Sequence, residues 1–134
     1  NQALLSVPDP EYLDQGLKVG LGSDIAGGTK ESIFFAMAEA IRVSKLRWRL
    51  VDNTKGPLTV EEAFFLGTKG GGAFFGEVGS FEEGYELDAV VLDDESIPHP
   101  HPQPLSVRER LERMIYLSDE RHITAKYIAG RQIF

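Results

Sequence analysis

Asp24 is the residue whose type and setting point most directly to chemistry. It follows the short apolar run Lys18-Val19-Gly20-Leu21-Gly22 and Ser23, and it precedes the small-residue stretch Ile25-Ala26-Gly27-Gly28. The run reads as a buried parallel strand. Positions just past the C-terminal end of such a strand are where α/β folds collect ligands and catalytic groups. A carboxylate there can hold a divalent metal, or act as a base toward a metal-activated water. The glycines on both sides would let a metal or substrate approach the backbone closely. A structural reading stands beside this one, because an aspartate after a strand also caps the loop or helix that follows.

Other polar groups point less clearly to a site. Gly20, Gly22, Gly27 and Gly28 do not complete a G-x-G-x-x-G phosphate loop, because Ile25 occupies the third glycine position, and no Gly-Lys-Ser/Thr follows. His99-Pro100-His101 has H-x-H spacing but sits among Pro98, Pro102 and Pro104, not on a strand or helix that would fix both imidazoles. His122 opens a strand and reads as structural. Glu61 and Glu62 suit a helix start, where negative charge complements the helix dipole. Glu82-Glu83 falls in a turn, and Asp88, Asp93 and Asp94 flank a strand; all read as solvated. Ser23 has no histidine near it in sequence, so no nucleophile triad is supported. Phe64, Phe65, Phe74 and Phe75 read as core packing.

The elements that must position Asp24 follow from pattern. Asp9-Pro10 signals a helix start, and Gly16 a stop. After the strand at residues 18–22 and the loop, a helix runs from about Lys30 to Trp48. Its apolar stripe is Ile33, Met37 and Ile41, with Phe34 and Ala38 beside it. Thr59 and Glu62 form a capping box that opens a second helix through Leu66. Gly70-Gly71-Gly72 is expected to break it, with a short helical segment around Ala73 to Phe75. Leu87 to Leu92 reads as a strand. Ser106 caps a helix over Val107 to about Leu117 with Leu111, Met114 and Ile115 on one face. The tail from Ile123 to Phe134 alternates like a hairpin around Gly130. The first part is therefore α/β, but with one buried strand and no second parallel strand to flank it. A strand buried on both faces needs two neighbours for its backbone N–H and C=O groups. That mismatch predicts that the chain is part of a larger protein.

Composition sets outer bounds. The chain has 134 residues, 42% hydrophobic and 26% charged, an ordinary balance for a folded domain. A formal net charge of -7 is a poor match for a nucleic-acid backbone or an anionic membrane. There is no cysteine, which excludes disulfides, thiolate zinc sites and a cysteine nucleophile, and suits a reducing cytoplasm. No apolar run approaches the ~18 residues of a membrane-spanning helix. The chain opens on Asn1, without a basic region followed by an apolar one.

Val19-Gly20-Leu21-Gly22-Ser23-Asp24 resembles the last barrel strand of the amidohydrolase superfamily, where an aspartate in a G-[ST]-D motif follows the strand. Ile25-Ala26-Gly27-Gly28 is similar to the continuation found in guanine deaminases in particular. Leu58 to Ala63, Thr68 and the Gly70–Gly76 stretch look like the helix pair that follows the barrel. Gly79 to Val91 is similar to the strand that returns to the small domain, with Leu87 where the family often has alanine. Tyr116 to Gly130 resembles the guanine deaminase tail, and Asn1, Leu4 and Ser6 match the motif after the seventh barrel strand. The resemblance implies the C-terminal part of a (β/α)8 TIM barrel at residues 1–77. Residues 78–134 would then be the C-terminal contribution to a small composite β-sandwich and its helix. It implies hydrolytic deamination of guanine to xanthine and ammonia, one zinc ion with Asp24 as a ligand and catalytic group, a homodimer, and a cytoplasmic enzyme. The family's metal-binding histidines and glutamate would lie upstream of Asn1, so the chain alone is expected to be inactive. Another aminohydrolase or a chlorohydrolase-like enzyme, or a noncatalytic module on the same scaffold, are the alternatives.

Overall fold

A computed structural model describes residues 12, 14–100 and 103–134. Tyr12 and Asp14 are helical, and this helix stops where expected: Gly16 takes φ +70° and the Leu17 N–H returns to the Tyr12 carbonyl at 3.0 Å. Its expected start at Asp9-Pro10 lies outside the described residues, as do Asn1, Leu4 and Ser6.

The main helix, α1, spans Ile33–Leu50 and begins at Ser32, whose Oγ accepts the Phe35 N–H. Helix α2 spans Val60–Gly67 and opens with the Thr59–Glu62 capping box, both hydrogen bonds present. Helix α3 is the short segment Lys69–Gly72, and strand β1 is Ala89–Leu92. Helix α4 spans Val107–Leu117 behind a second capping box, Ser106 with Glu109. A 3₁₀ turn at Glu120–His122 leads into β2, Ile123–Ile128, and β3, Arg131–Gln132. The three strands form one antiparallel sheet in the order β1-β2-β3, with Ala89 opposite Tyr127 and Tyr127 opposite Gln132. The β2–β3 turn is Ala129-Gly130, both at positive φ, the twist that a two-residue hairpin needs.

The core is helical. Met37, Ala38, Ala40 and Ile41 of α1 pack against Leu58, Val60, Ala63 and Leu66 on one side and Ile115 of α4 on the other. Val19 and Leu21 close over the α1–α2 layer from outside. The periodicity of α1 and α4 thus located the buried stripe, although Ile33 at the helix start is partly exposed.

Three expectations need correction. Gly70-Gly71-Gly72 does not break the helical path: these residues form α3, and Ala73 to Phe75 are turn. Glycine is tolerated in this helix because the neighbouring backbone comes too close for a side chain: a Cβ on Gly70 would lie 2.9 Å from the Val19 carbonyl oxygen. Phe64, Phe65, Phe74 and Phe75 are not core residues; all are exposed, Phe75 to 86%. Residues 17–24 form no strand, since no partner strand lies beside them among the described residues. Hydrogen bonding of a ladder, not the apolar run itself, makes a strand.

Candidate functional site

The Lys18–Gly22 segment delivers Asp24 to a tight corner. Asp24 takes φ +48° and Ala26 φ +70°. Aspartate visits the left-handed region more readily than most residues, but alanine does not, so two such residues within one turn mark local backbone strain. The Asp24 carbonyl closes the turn by accepting the Gly27 N–H at 2.8 Å, and it also accepts from Gly28. Of the two glycines, Gly28 is the one that space requires, because its obstacle is backbone, whereas the obstacle at Gly27 is the movable Asp24 carboxylate. A Cβ on Gly27 would lie 2.7 Å from Asp24 Oδ2, and one on Gly28 would collide with the Ser23 carbonyl.

The cap that the structural reading expects of the Asp24 side chain is made by other atoms. The Asp24 backbone carbonyl, not its side chain, organises the loop. The following helix takes its cap from Ser32, whose Oγ is 3.4 Å from the Phe35 nitrogen. The carboxylate lies over Gly27, solvent-exposed and with no capping duty. Most of the other acids singled out by sequence are engaged. Glu62 closes its capping box and Glu61 binds Arg108. Lys69 binds Glu82, whose carboxyl is held below its ordinary range chiefly by that hydrogen bond. Asp88 accepts the Ala129 N–H at 2.8 Å, and Asp93 accepts the Glu95 N–H at 2.9 Å. Asp94 takes Arg110 through both oxygens at 2.6 and 2.8 Å, which lowers its pKa.

The histidines are placed elsewhere. His99 Nε2 meets the Gln103 carbonyl at 3.0 Å in an exposed loop, and His101 lies outside the described residues. His122 is buried, with Nδ1 3.0 Å from the Asp119 backbone nitrogen, a structural role in the 3₁₀ turn. Among the described residues no three His, Cys, Asp or Glu side chains converge as a metal site. Taken alone, the exposed Asp24 carboxylate is an oxygen donor short of the three or four protein ligands that a metal such as zinc takes.

Pattern reading did not anticipate the groove beside this corner. Lys30 and Ser32, just after the Asp24 turn, line it together with Arg42 of α1, Tyr116 of α4 and Asp119 just past α4. The Arg42 guanidinium lies 5.6 Å from the centre of the Tyr116 ring. Burial raises the Tyr116 hydroxyl above its ordinary pKa, and Arg121 holds Asp119 well below the carboxylate range. Nothing in the spacing of residues 30 and 119 announces this approach; it follows from α4 packing on α1.

Comparison with known proteins places the chain. The amidohydrolase family profile matches residues 9–133. The guanine deaminase of Homo sapiens is 32% identical over 136 residues, covering 92% of this chain and 29% of its own length. Among solved structures, guanine deaminase from C. acetobutylicum with bound guanine superposes with a TM-score of 0.84 at 46% identity, over 92% of this chain and 29% of that one. The E. coli guanine deaminase gives a TM-score of 0.75 at 29% identity, again over 29% of that chain. The chain thus spans less than a third of the relatives it matches. Among the described residues no helix is long and apolar enough to cross a membrane. With a profile match over nearly its whole length, and an antiparallel sheet and helices that superpose on solved relatives, the chain belongs to the amidohydrolase family.

Proposed function

We propose that this chain is the C-terminal portion of a zinc-dependent guanine deaminase, and that Asp24 is both a zinc ligand and a catalytic group. In this reading residues 1–77 close a (β/α)8 barrel and residues 78–134 supply the C-terminal strands and helix of a composite β-sandwich. The remaining zinc ligands come from upstream, so the 134 residues alone do not turn over. A homodimer in the cytoplasm belongs to the same proposal.

One observation carries the reading: the Asp24 carboxylate is exposed on a strained corner whose turn and whose helix are held by other groups. Strain of this kind concentrates at functional sites. The likeness to a guanine-bound relative at 46% identity supports guanine as substrate. Zinc, when bound, supplies a Lewis acid that makes water a nucleophile near neutral pH. The Asp24 carboxylate offers one oxygen as a ligand. It accepts the proton of the water that attacks the ring carbon bearing the exocyclic amine, and returns a proton to the departing ammonia.

Asp24→Asn in the full-length polypeptide tests this. Asparagine tolerates positive φ, so the corner keeps its shape while the charge is lost. Guanine turnover should fall by about 100-fold to 10,000-fold, the range for losing a positioned acid–base group. Zinc content should drop with it. Wild-type zinc content together with wild-type turnover would refute the assignment.

A further inference from the structure

The segment that carries Asp24 has no ladder to hold it, yet it is seated firmly on the corner between α2 and α3. The Leu21 N–H donates to the Leu66 carbonyl at 3.1 Å, near the end of α2. Lys18 Nζ donates to the Ala73 carbonyl at 3.2 Å, just past α3. Between these two points the backbones touch. A Cβ on Gly20 would lie 2.6 Å from the Gly71 Cα, and one on Gly70 would lie 2.9 Å from the Val19 carbonyl oxygen. These obstacles are backbone atoms, which cannot swing aside as a flexible side chain does.

Seats of this kind fix register. Val19 and Gly20 are partly buried and Gly70 is fully buried, so the contact is enclosed. Only Gly22 and Ser23 separate the Leu21 hydrogen bond from Asp24. The Asp24 turn is tied to Gly27 and Gly28, and among the described residues no backbone hydrogen bond ties it back to α2 or α3, so a displacement at Gly20 would reach it through Leu21, Gly22 and Ser23.

We infer that Gly20 and Gly70, with Lys18 as a pin, are positioning residues that set where the Asp24 carboxylate stands. The inference rests on the reading of Asp24 as a zinc ligand. It assigns a role to the triple-glycine helix that helix propensity alone contradicts, since alanine is the better helix former.

The test uses the full-length polypeptide as wild type and as Gly20→Ala, Gly70→Ala, Lys18→Met, Gly56→Ala and Asp24→Asn. Zinc affinity is measured by competition with a chelator, kcat and KM with guanine, and amide hydrogen exchange over residues 18–24. Gly20→Ala and Gly70→Ala should weaken zinc binding by about 10-fold to 100-fold, the usual effect of losing support behind a ligand. They should lower kcat with KM for guanine little changed, and speed exchange at residues 18–24 while α4 stays protected. Lys18→Met should move zinc affinity and exchange in the same direction by less. Gly56→Ala should match wild type, because its methyl meets nothing within 4 Å. Wild-type zinc affinity and kcat in both glycine variants overturns the inference. If neither folds, Lys18→Met decides, and wild-type zinc affinity and exchange there overturns it. Retention of zinc and turnover by Asp24→Asn overturns the reading of Asp24, and the inference with it. Loss of both in Asp24→Asn, with glycine and lysine variants like wild type, overturns the positioning role alone.

Discussion

Ser44→Ala should destabilise the protein, although it replaces a polar residue in a helix with the best helix former. Ser44 is 4% exposed and sits on the buried face of α1. Its Oγ donates to the Ile41 carbonyl at 2.7 Å and accepts the Leu58 N–H at 3.0 Å. Leu58 is itself 2% exposed, so water cannot replace the lost acceptor. Leaving a buried N–H unsatisfied costs about 1–3 kcal/mol. The Ile41 carbonyl keeps its place in the helix, so losing the second bond adds little. Alanine recovers no more than about 0.5 kcal/mol of helix propensity. The net loss is about 0.5–3 kcal/mol, a factor of roughly 2–140 in the folded-to-unfolded ratio. Urea unfolding at fixed m-value reads it as a lower midpoint, and amide exchange at Leu58 should accelerate more than at the core of α1. Ser44→Thr, which keeps the hydroxyl, should restore Leu58 protection. A Ser44→Ala variant as stable as wild type, with Leu58 still protected, would show that this bond does not join α1 to the start of α2.

The helix caps should each matter by less. Thr59→Ala and Ser106→Ala each remove a capping box and should cost about 0.5–2 kcal/mol in urea unfolding. The Asp94–Arg110 pair should give acid sensitivity of a defined sign. Arg110 holds the Asp94 carboxyl below its ordinary value, so the pair contributes fully above that value and is lost as pH falls through the depressed one. Arg110→Met should therefore lower the urea midpoint at pH 7 but change it little once the pH is well below about 4. The isolated 134-residue chain, given zinc and guanine, should release no ammonia in a coupled assay; turnover at enzyme-like rates would show that its ligands are sufficient by themselves.

Local rules were legible in the sequence to different depths. The Thr59–Glu62 capping box and the Ser106 cap both follow from sequence, because a cap is decided within four residues, while the Glu109 half of the Ser106 box is visible only in the structure. The stripe on α1 is legible for the same reason: one helix face repeats every three to four residues. The pattern predicts the return strand over residues 87–92, and it forms at Ala89–Leu92, since pairing with β2 begins only at the Ala89–Tyr127 register. Where the reading failed, the deciding contact was remote. The triple glycine looks like a breaker until Val19 and Gly20 are laid against it. The four phenylalanines look like core until the helices that could cover them are counted, and among the described residues none does. The role proposed for Asp24 rests on its place after an apolar run; its positive φ, and the capping of the next helix by Ser32, are visible only in the backbone.

The exposed aromatics and the unladdered segment have a common physical origin. Gly70, which faces the Val19 carbonyl, also lies against the ring of Phe65, so apolar surface and open backbone meet at one corner. Water satisfies an open N–H or C=O well enough, but it penalises an exposed phenylalanine at about 25 cal/mol for each Å² of apolar surface. A flanking parallel strand would pair the one and a covering element would bury the other. Were both supplied by the same neighbouring β-α units of the proposed barrel, completing the ladder at residues 18–24 and covering Phe64 and Phe65 would be one event. Exchange protection at residues 18–24 should then rise together with quenching of solvent access at those rings when upstream polypeptide is supplied, and the Asp24 carboxylate would come to its ligand position on a strand already registered by the α2–α3 corner.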